Sequence, residues 1–337
     1  MTARVSILVP CYNEARTIGR LLQAVYQQDF PLNELEVVVA DGQSTDGTRA
    51  AILAFSREHP QLPLRVIDNP ARSIPAALNR AWRAAEGEIL VRLDAHSAPR
   101  QDYVSRCVTA LHTTSAANVG GLWLVEAGAD TWLARSIAAA AADTLGAGDA
   151  RYRTGGAPGA VDTVPFGVFR RQWLERVGGY DESLLTNEDY DLNWRLRQTG
   201  GVIWFDPSIR CVYFARSRLR DLARQYSRYG FWKARMLLRH PTSLRWRQAI
   251  PAAFVLGTIT LLFLGLWSPT AWAVLIAGWL LYLLVLLARG FVLAWRQRRP
   301  SLLLGLPLSL SIMHLAWGSA FLVGLVSGLF AHAGNGS

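Results

Sequence analysis

The sequence predicts an α/β domain, with a mixed and mostly parallel sheet flanked by helices, followed by C-terminal transmembrane helices. Three observations predict it. Short apolar runs alternate with helix-period segments over the first 95 residues. The turns that follow those runs carry carboxylates. From Ile250 to Phe330 the residues are almost continuously aliphatic or aromatic. With 337 residues, 51% hydrophobic and 18% charged, the chain has enough material for two domains.

Val5–Val9 is the first strand, and Ile18, Leu21, Leu22 and Val25 then mark one face of a helix that Asn13 is placed to cap. Leu35–Ala40 is the next strand. The turn-rich Asp41-Gly-Gln-Ser-Thr-Asp-Gly47 follows it, then a helix to about Arg57. Strands at Leu64–Ile67 and Ile89–Leu93 bracket a helix over Pro75–Ala85. Helical crossovers of this length imply parallel strands, whose carboxyl ends bind ligands; Asp41 and Asp94 are both placed there.

Beyond residue 115 the pattern is less regular. A strand is expected over Val119–Val125 and an alanine-rich helix over Thr131–Leu145. Residues 146–163 form a Gly/Ala/Pro loop long enough to serve as a flap. A helix over Glu188–Gln198 and short strands near Val202–Phe205 and Cys211–Phe214 complete the soluble part.

The net charge of +10 is concentrated: Arg210 to Arg247 holds eleven Arg or Lys against one acid, Asp221. A basic segment just before an apolar run marks a membrane surface, and no nucleic-acid-reading motif accompanies it. Leu219, Leu222, Tyr226, Tyr229 and Met236 interleave with these arginines as one or two amphipathic interfacial helices would. The expected organisation is a soluble domain over 1–215, interfacial helices over 216–247 and a membrane domain over 248–337. Its spans are expected at 250–267, 271–293 and 304–330, each long enough for a ~30 Å hydrocarbon core. The opening strand leaves no place for a signal peptide, and three dispersed cysteines imply a reducing compartment. The soluble domain is therefore expected in the cytoplasm. The basic loop Arg296–Arg299 then falls on the same side and the C-terminal Gly-Asn-Gly-Ser on the other.

Four groups of residues carry candidate chemistry. Asp94-Ala-His96 ends a strand, where a carboxylate and an imidazole can face one divalent cation; this mixed shell suits Mn2+ somewhat better than Mg2+. Asp41 can accept a hydrogen bond from a nucleobase or ribose, or simply form the turn. Glu188-Asp189 opens a helix, whose dipole favours an anion suited to general-base work; the alternative is capping of the helix by Asn187 with these acids in its first turn. Gln225, Arg228 and Tyr229 lie in the basic segment, where an arginine can neutralise a leaving diphosphate. In the last span, His314 is the ionisable group, and Gly324-x-x-x-Gly328 permits close helix packing or self-association.

Taken together, the chain resembles the family 2 glycosyltransferases of GT-A fold. Val5-Ser-Ile-Leu-Val-Pro-Cys-Tyr-Asn-Glu14 is similar to that family's opening strand. Asp41–Thr48 is similar to its nucleotide-binding turn, and Asp94-Ala-His96 stands in the position of its DxD motif. Val177-Gly-Gly-Tyr-Asp181 with Asn187–Leu192 resembles its acceptor-side segment, and Gln225–Tyr229 its QxxRW element. The Asp-Ala-His-Ser segment, three C-terminal spans and Met313–Gly318 resemble the succinoglycan-biosynthesis (ExoA-like) membrane glucosyltransferases. The resemblance implies donor-binding roles for Pro10, Asn13, Glu14, Asp41, Arg72, Asp94 and Gln225, and metal ligation by Asp94 and His96. It implies catalytic roles for Asp189, Glu188 and Arg228.

The function this implies is inverting transfer of a hexose, glucose first, from a UDP-sugar to a polyprenyl-diphosphate-linked saccharide in bacterial exopolysaccharide assembly. The enzyme would need a divalent cation and would sit in the inner (cytoplasmic) membrane. The alternatives are a processive polysaccharide synthase, a polyprenyl-phosphate glycosyltransferase, or a catalytically lapsed nucleotide-sugar binding protein. Tyr229 in place of tryptophan weighs against processivity.

Overall fold

The computed structural model describes residues 4–333; the expected far-side tail, 334–337, lies outside the described residues. The chain divides into two compact units, Met1–Leu124 with Ala150–Tyr213, and Val125–Asp149 with Phe214–Ser337.

The first unit opens with the predicted alternation: β1 (Val5–Cys11), α1 (Ile18–Tyr26), β2 (Leu35–Asp41), α2 (Thr48–Glu58), β3 (Leu64–Asp68), α3 (Ile74–Ala84) and β4 (Ile89–Arg92). These strands run parallel in the order β3-β2-β1-β4. β1 and β2 are buried along their whole length, which explains their unbroken apolar sequence. Alternate residues feed two cores. Val5, Ile7 and Val9 pack with α1 and α2 on one face, while Leu8, Val38 and Leu90 pack with α3 on the other. Asn13 does not cap α1; Thr17 holds that position and makes no side-chain cap.

The rest of the sheet is antiparallel where its pairings are defined, and its short strands escape a periodicity argument. β5 (Ser97–Pro99), α4 (Tyr103–Thr114) and β6 (Asn118–Ala127) come next in the chain. They are followed by α5 (Trp132–Ala142), α6 (Thr144–Ala147), α7 (Arg151–Thr154), β7 (Gly159–Val161) and β8 (Val168–Arg170). The expected 146–163 loop is thus partly built into α6, α7 and β7. After α8 (Arg171–Val177) and α9 (Glu188–Gln198), β9 (Ile203–Ala215) spans as one strand what the sequence divides into two. β8 pairs antiparallel with β4 and β6, and β9 pairs antiparallel with β5 and β7. Gly121 is required where these strands meet, since a Cβ there would lie 2.0 Å from the Ile209 carbonyl oxygen.

The second unit contains α10 (Leu219–Arg239), α11 (Trp246–Leu264), α12 (Pro269–Gln297) and α13 (Leu302–Ala333). The last three are long and apolar enough to cross a membrane, with mean hydropathy of 1.6, 2.4 and 1.6 over their best windows. The basic segment forms one long helix, α10, which packs on α13 with Gly230 and Ala234 buried against it. Gly230 makes this approach possible, because a Cβ there would meet the Trp317 carbonyl oxygen at 2.1 Å. Gly324 and Gly328 face Phe231, Ala234 and Leu238 of α10 in the same chain. The close packing expected of that pair is therefore intramolecular, which leaves the expected self-association without its motif.

Residues 125–149 also belong to this unit. α5 packs on α13, Asp143 accepts a hydrogen bond from Arg289 Nε at 2.8 Å, and His314 Nε2 lies 2.8 Å from the Leu145 carbonyl oxygen.

Candidate active site

The parallel strands end together. Cys11 is opposite Asp41, and Leu8 is opposite Arg92. This register sets the segments after β1, β2 and β4 along one edge of the sheet. Three of the non-glycine residues with left-handed backbone, Asn13 (φ 54), Gln43 (φ 62) and Arg72 (φ 54), lie in the segments after β1, β2 and β3. Such conformations cost of order 1–3 kcal/mol each and collect at functional sites.

Asp41 is fully buried and accepts hydrogen bonds from Ser44 Oγ (2.5 Å), the Ser44 N–H (3.1 Å) and Arg49 Nε (2.5 Å). Burial alone would raise its pKa; the Ser44 and Arg49 hydrogen bonds outweigh that and hold the carboxyl below its usual range. The Asn13 N–H donates to Ser44 Oγ at 2.8 Å, and its side-chain oxygen accepts from the Thr45 N–H at 2.9 Å. Asn13 therefore ties the first loop to the Asp41–Gly47 turn. Arg72 reaches Gln43 Oε1 at 3.4 Å and lies over the Tyr12 ring, 5.7 Å from its centroid.

Glu14 meets His96: Oε1 lies 3.2 Å from Nδ1. A carboxylate on one imidazole nitrogen fixes the orientation of the ring. Asp94 is two residues away, with Oδ1 3.3 Å from Arg92 Nε and Nη2. No group of three or more His, Cys, Asp or Glu side chains able to hold a metal occurs among the described residues. The available donors are thus one carboxylate and one oriented imidazole. That is the incomplete set expected where a diphosphate supplies further oxygen ligands, and Asp94 and His96 fit a divalent cation on those terms.

Arg92, absent from the sequence-derived candidates, stands at the centre of the acidic residues. Its side chain is almost wholly buried, and Nη2 lies 2.9 Å from Glu188 Oε1. Burial works against its charge, but Asp94 and Glu188 more than compensate and keep the guanidinium ionised. Asp189, next along α9, is half-buried and accepts the Tyr190 N–H at 2.8 Å. Burial and then the Glu188 charge push its carboxyl up to about 6, against the opposing pull of Arg92. Asn187 occupies the N-cap of α9 with φ 68 and makes no side-chain cap, so these acids are not held in place by the expected capping.

The first unit by itself brings together Pro10, Asn13, Glu14, Asp41, Arg72, Asp94, His96, Glu188 and Asp189. Gln225 and Arg228 stand on α10 in the second unit, where Gln225 Nε2 donates to the Tyr229 hydroxyl at 2.8 Å. An aromatic nest also escaped sequence reasoning. Trp123 stacks on Tyr213 at 4.2 Å, with Phe166 and Tyr152 beside it. Tyr213 is directly opposite Ser97 in the sheet, next to His96. Nothing in local spacing connects residues that β-pairing alone brings together.

A buried carboxylate on a strand-end turn, an oriented Asp-x-His pair and a carboxylate at a helix start share one sheet edge. That arrangement suits the binding of a nucleotide diphosphate and general-base work beside it. The chain belongs to glycosyl transferase family 2, whose model matches residues 6–178, and it is a glycosyltransferase with a GT-A fold. It is similar to the succinoglycan biosynthesis protein ExoA of Rhizobium meliloti, 34% identical over 94% of this chain and 93% of that protein. It is also similar to a Methanococcus voltae dolichyl N-acetyl-alpha-D-glucosaminyl phosphate 3-beta-D-2,3-diacetamido-2,3-dideoxy-beta-D-glucuronosyltransferase. That identity is 24%, over 96% of this chain and 98% of the relative. Among solved structures, a mannosyltransferase of Pyrobaculum calidifontis in complex with GDP-Man and Mn2+ shares the fold. Its TM-score is 0.64 at 24% identity, covering 94% of this chain and 87% of that one.

Proposed function

We propose that this glycosyltransferase moves a hexose, glucose first, from a UDP-sugar to a polyprenyl-diphosphate-linked saccharide in bacterial exopolysaccharide assembly. It works with inversion at the cytoplasmic face of the inner membrane. The observation that carries the reading is the extent of the likeness to the succinoglycan protein: it spans 94% of the chain and so includes the membrane unit. A membrane unit retained beside the transferase is what an acceptor held in the bilayer requires. The Methanococcus relative, named for a dolichyl-phosphate-linked substrate, supports the same acceptor chemistry.

In this reading Asp189 takes the proton from an acceptor hydroxyl as that oxygen attacks the anomeric carbon in line with the leaving group. The new C–O bond forms while the bond from that carbon to the diphosphate oxygen breaks, and the diphosphate leaves with the electron pair. Asp41 and the loop tied to it by Asn13 hold the nucleotide, with Pro10 and Arg72 beside them. A divalent cation held by Asp94 and His96 would neutralise the leaving diphosphate. Glu14 keeps His96 in register for it. The resemblance of Gln225–Tyr229 to the QxxRW element gives Gln225 and Arg228 roles toward the diphosphate.

The test is a panel of UDP-glucose, UDP-galactose and GDP-mannose. Membranes containing the full chain are given extracted polyprenyl-linked intermediates, and products are read by mass. Addition of a single hexose from UDP-glucose is expected. A ladder of products would mark a processive synthase, and nucleotide binding without release would mark a lapsed enzyme.

A further inference from the structure

Three carboxylates crowd the acidic part of the site, and a single guanidinium reaches two of them. Arg92 is 6% exposed and leaves β4 two residues before Asp94. Its backbone N–H donates to the Gly167 carbonyl at 3.0 Å, which anchors it to the segment before β8. From there Nε and Nη2 lie 3.3 Å from Asp94 Oδ1, and Nη2 lies 2.9 Å from Glu188 Oε1. The remaining nitrogen, Nη1, is buried and has no hydrogen-bond partner among the described residues. The side chain's hydrogen bonds go to the two acids, with the buried Tyr180 hydroxyl as a further polar neighbour. It joins the strand end bearing the Asp-x-His pair to the first turn of α9.

Removing a charge of this kind from water is tolerated when opposite charges surround it, and breaking one partner leaves the others uncompensated. Asp94 and Glu188 therefore share one buried partner, and losing it leaves both without that contact. Asp189 lies one residue beyond Glu188, outside the guanidinium's hydrogen bonds, and takes its own from the Tyr190 N–H. The two adjacent acids of α9 are consequently not equivalent. One is tied to a buried cation, and the other keeps its carboxylate for the reaction.

We infer that Arg92 is the positioning residue of this site: it fixes Asp94 and Glu188, and through Glu188 it sets the α9 turn that presents Asp189 to the acceptor. Glu188 is then the counter-ion of Arg92 and takes no proton from substrate. The inference rests on the reading of Asp189 as the base.

The experiment uses the full chain in detergent, with UDP-glucose and extracted acceptor, and compares R92Q, R92K, E188Q and R92Q/E188Q with the parent. R92Q removes the cation and leaves two adjacent uncompensated carboxylates. It is expected to lower kcat at least 100-fold and, because Asp94 loses the same partner, to change Mn2+-dependent UDP binding by a smaller factor, within about 10-fold. R92K keeps the charge without the two-way reach and is expected to recover at least 5-fold over R92Q. E188Q is expected to stay within 10-fold of the parent. The double variant removes both charges and is expected to recover at least 10-fold over R92Q, a coupling that a merely structural arginine would not produce. The inference is overturned by R92Q with parental kcat, by equal loss of kcat and UDP binding without recovery in the double variant, or by E188Q as inactive as D189N. A parent that transfers no sugar from any donor refutes the proposed function, and this inference with it.

Discussion

The Glu14 carboxylate lies 3.2 Å from the His96 imidazole, although 82 residues separate them in sequence. The contact exists because β1 and β4 are paired neighbours whose ends fall together. In the proposed mechanism Glu14 orients His96, a role closer to the cation than to the nucleotide. Glu14→Gln keeps the shape and loses the charge, so it should weaken Mn2+-dependent UDP binding about 10-fold. Titration calorimetry with and without Mn2+ checks this, and metal-independent UDP binding should not change.

Asp189→Asn should reduce transfer by at least 1000-fold while UDP binding stays within about 3-fold. Single-turnover assays beside equilibrium binding separate the two. Transfer surviving at a tenth of the parental rate would place the base elsewhere.

The pH dependence follows from the same carboxylate. A base must be ionised to accept a proton, and Asp189 is pushed up to about 6 by burial and the neighbouring Glu188 charge. The rate of transfer should therefore be flat above about pH 7 and fall toward tenfold per unit once the pH is well below about 6. Initial rates between pH 4.5 and 8.5 report it, and a flat profile would count against Asp189.

Asp41 holds its turn through three hydrogen bonds, one of them from the Arg49 cation. Asp41→Ala leaves the Ser44 N–H without its acceptor and should cost about 1–3 kcal/mol of stability, along with most nucleotide affinity. Because the folded carboxyl is held low, its contribution is fully present above the ordinary carboxylate range and is lost as pH falls through the depressed value. Thermal melts of parent and variant should converge at acid pH.

In the membrane unit, Asp143 is buried and receives Arg289 Nε at 2.8 Å. Asp143→Ala or Arg289→Ala should each lower stability by about 1–3 kcal/mol, discounted from a fully buried pair because Arg289 is partly exposed. The double variant should lose less than the sum of the two. Melting temperature in one detergent measures all three.

Much of this was legible in the sequence because it depends on local pattern. The β1–β4 alternation, the carboxylates after β2 and β4 and three apolar spans follow from periodicity and from turn residues. What depends on pairing between distant segments was not legible. β5, β7 and β8 are three-residue strands with no period to detect. Arg92 reads as one polar residue inside an apolar strand until α9 brings Glu188 to it. Asn13 looks like a helix cap because its neighbours in sequence permit one, yet its partners are Ser44 and Thr45. The alanine-rich helix near residue 135 carries nothing that tells which unit it joins.

That last feature bears on how the protein is made. Residues 125–149 leave the ribosome long before α13, the helix on which α5 packs. The first unit has the opposite problem, since its sheet needs β9 from beyond the same detour. Neither unit can finish in the order it is translated, and α5 must wait beside the membrane for a partner still to be synthesised. A gene split after the soluble part would therefore strand α5 with its packing face uncovered.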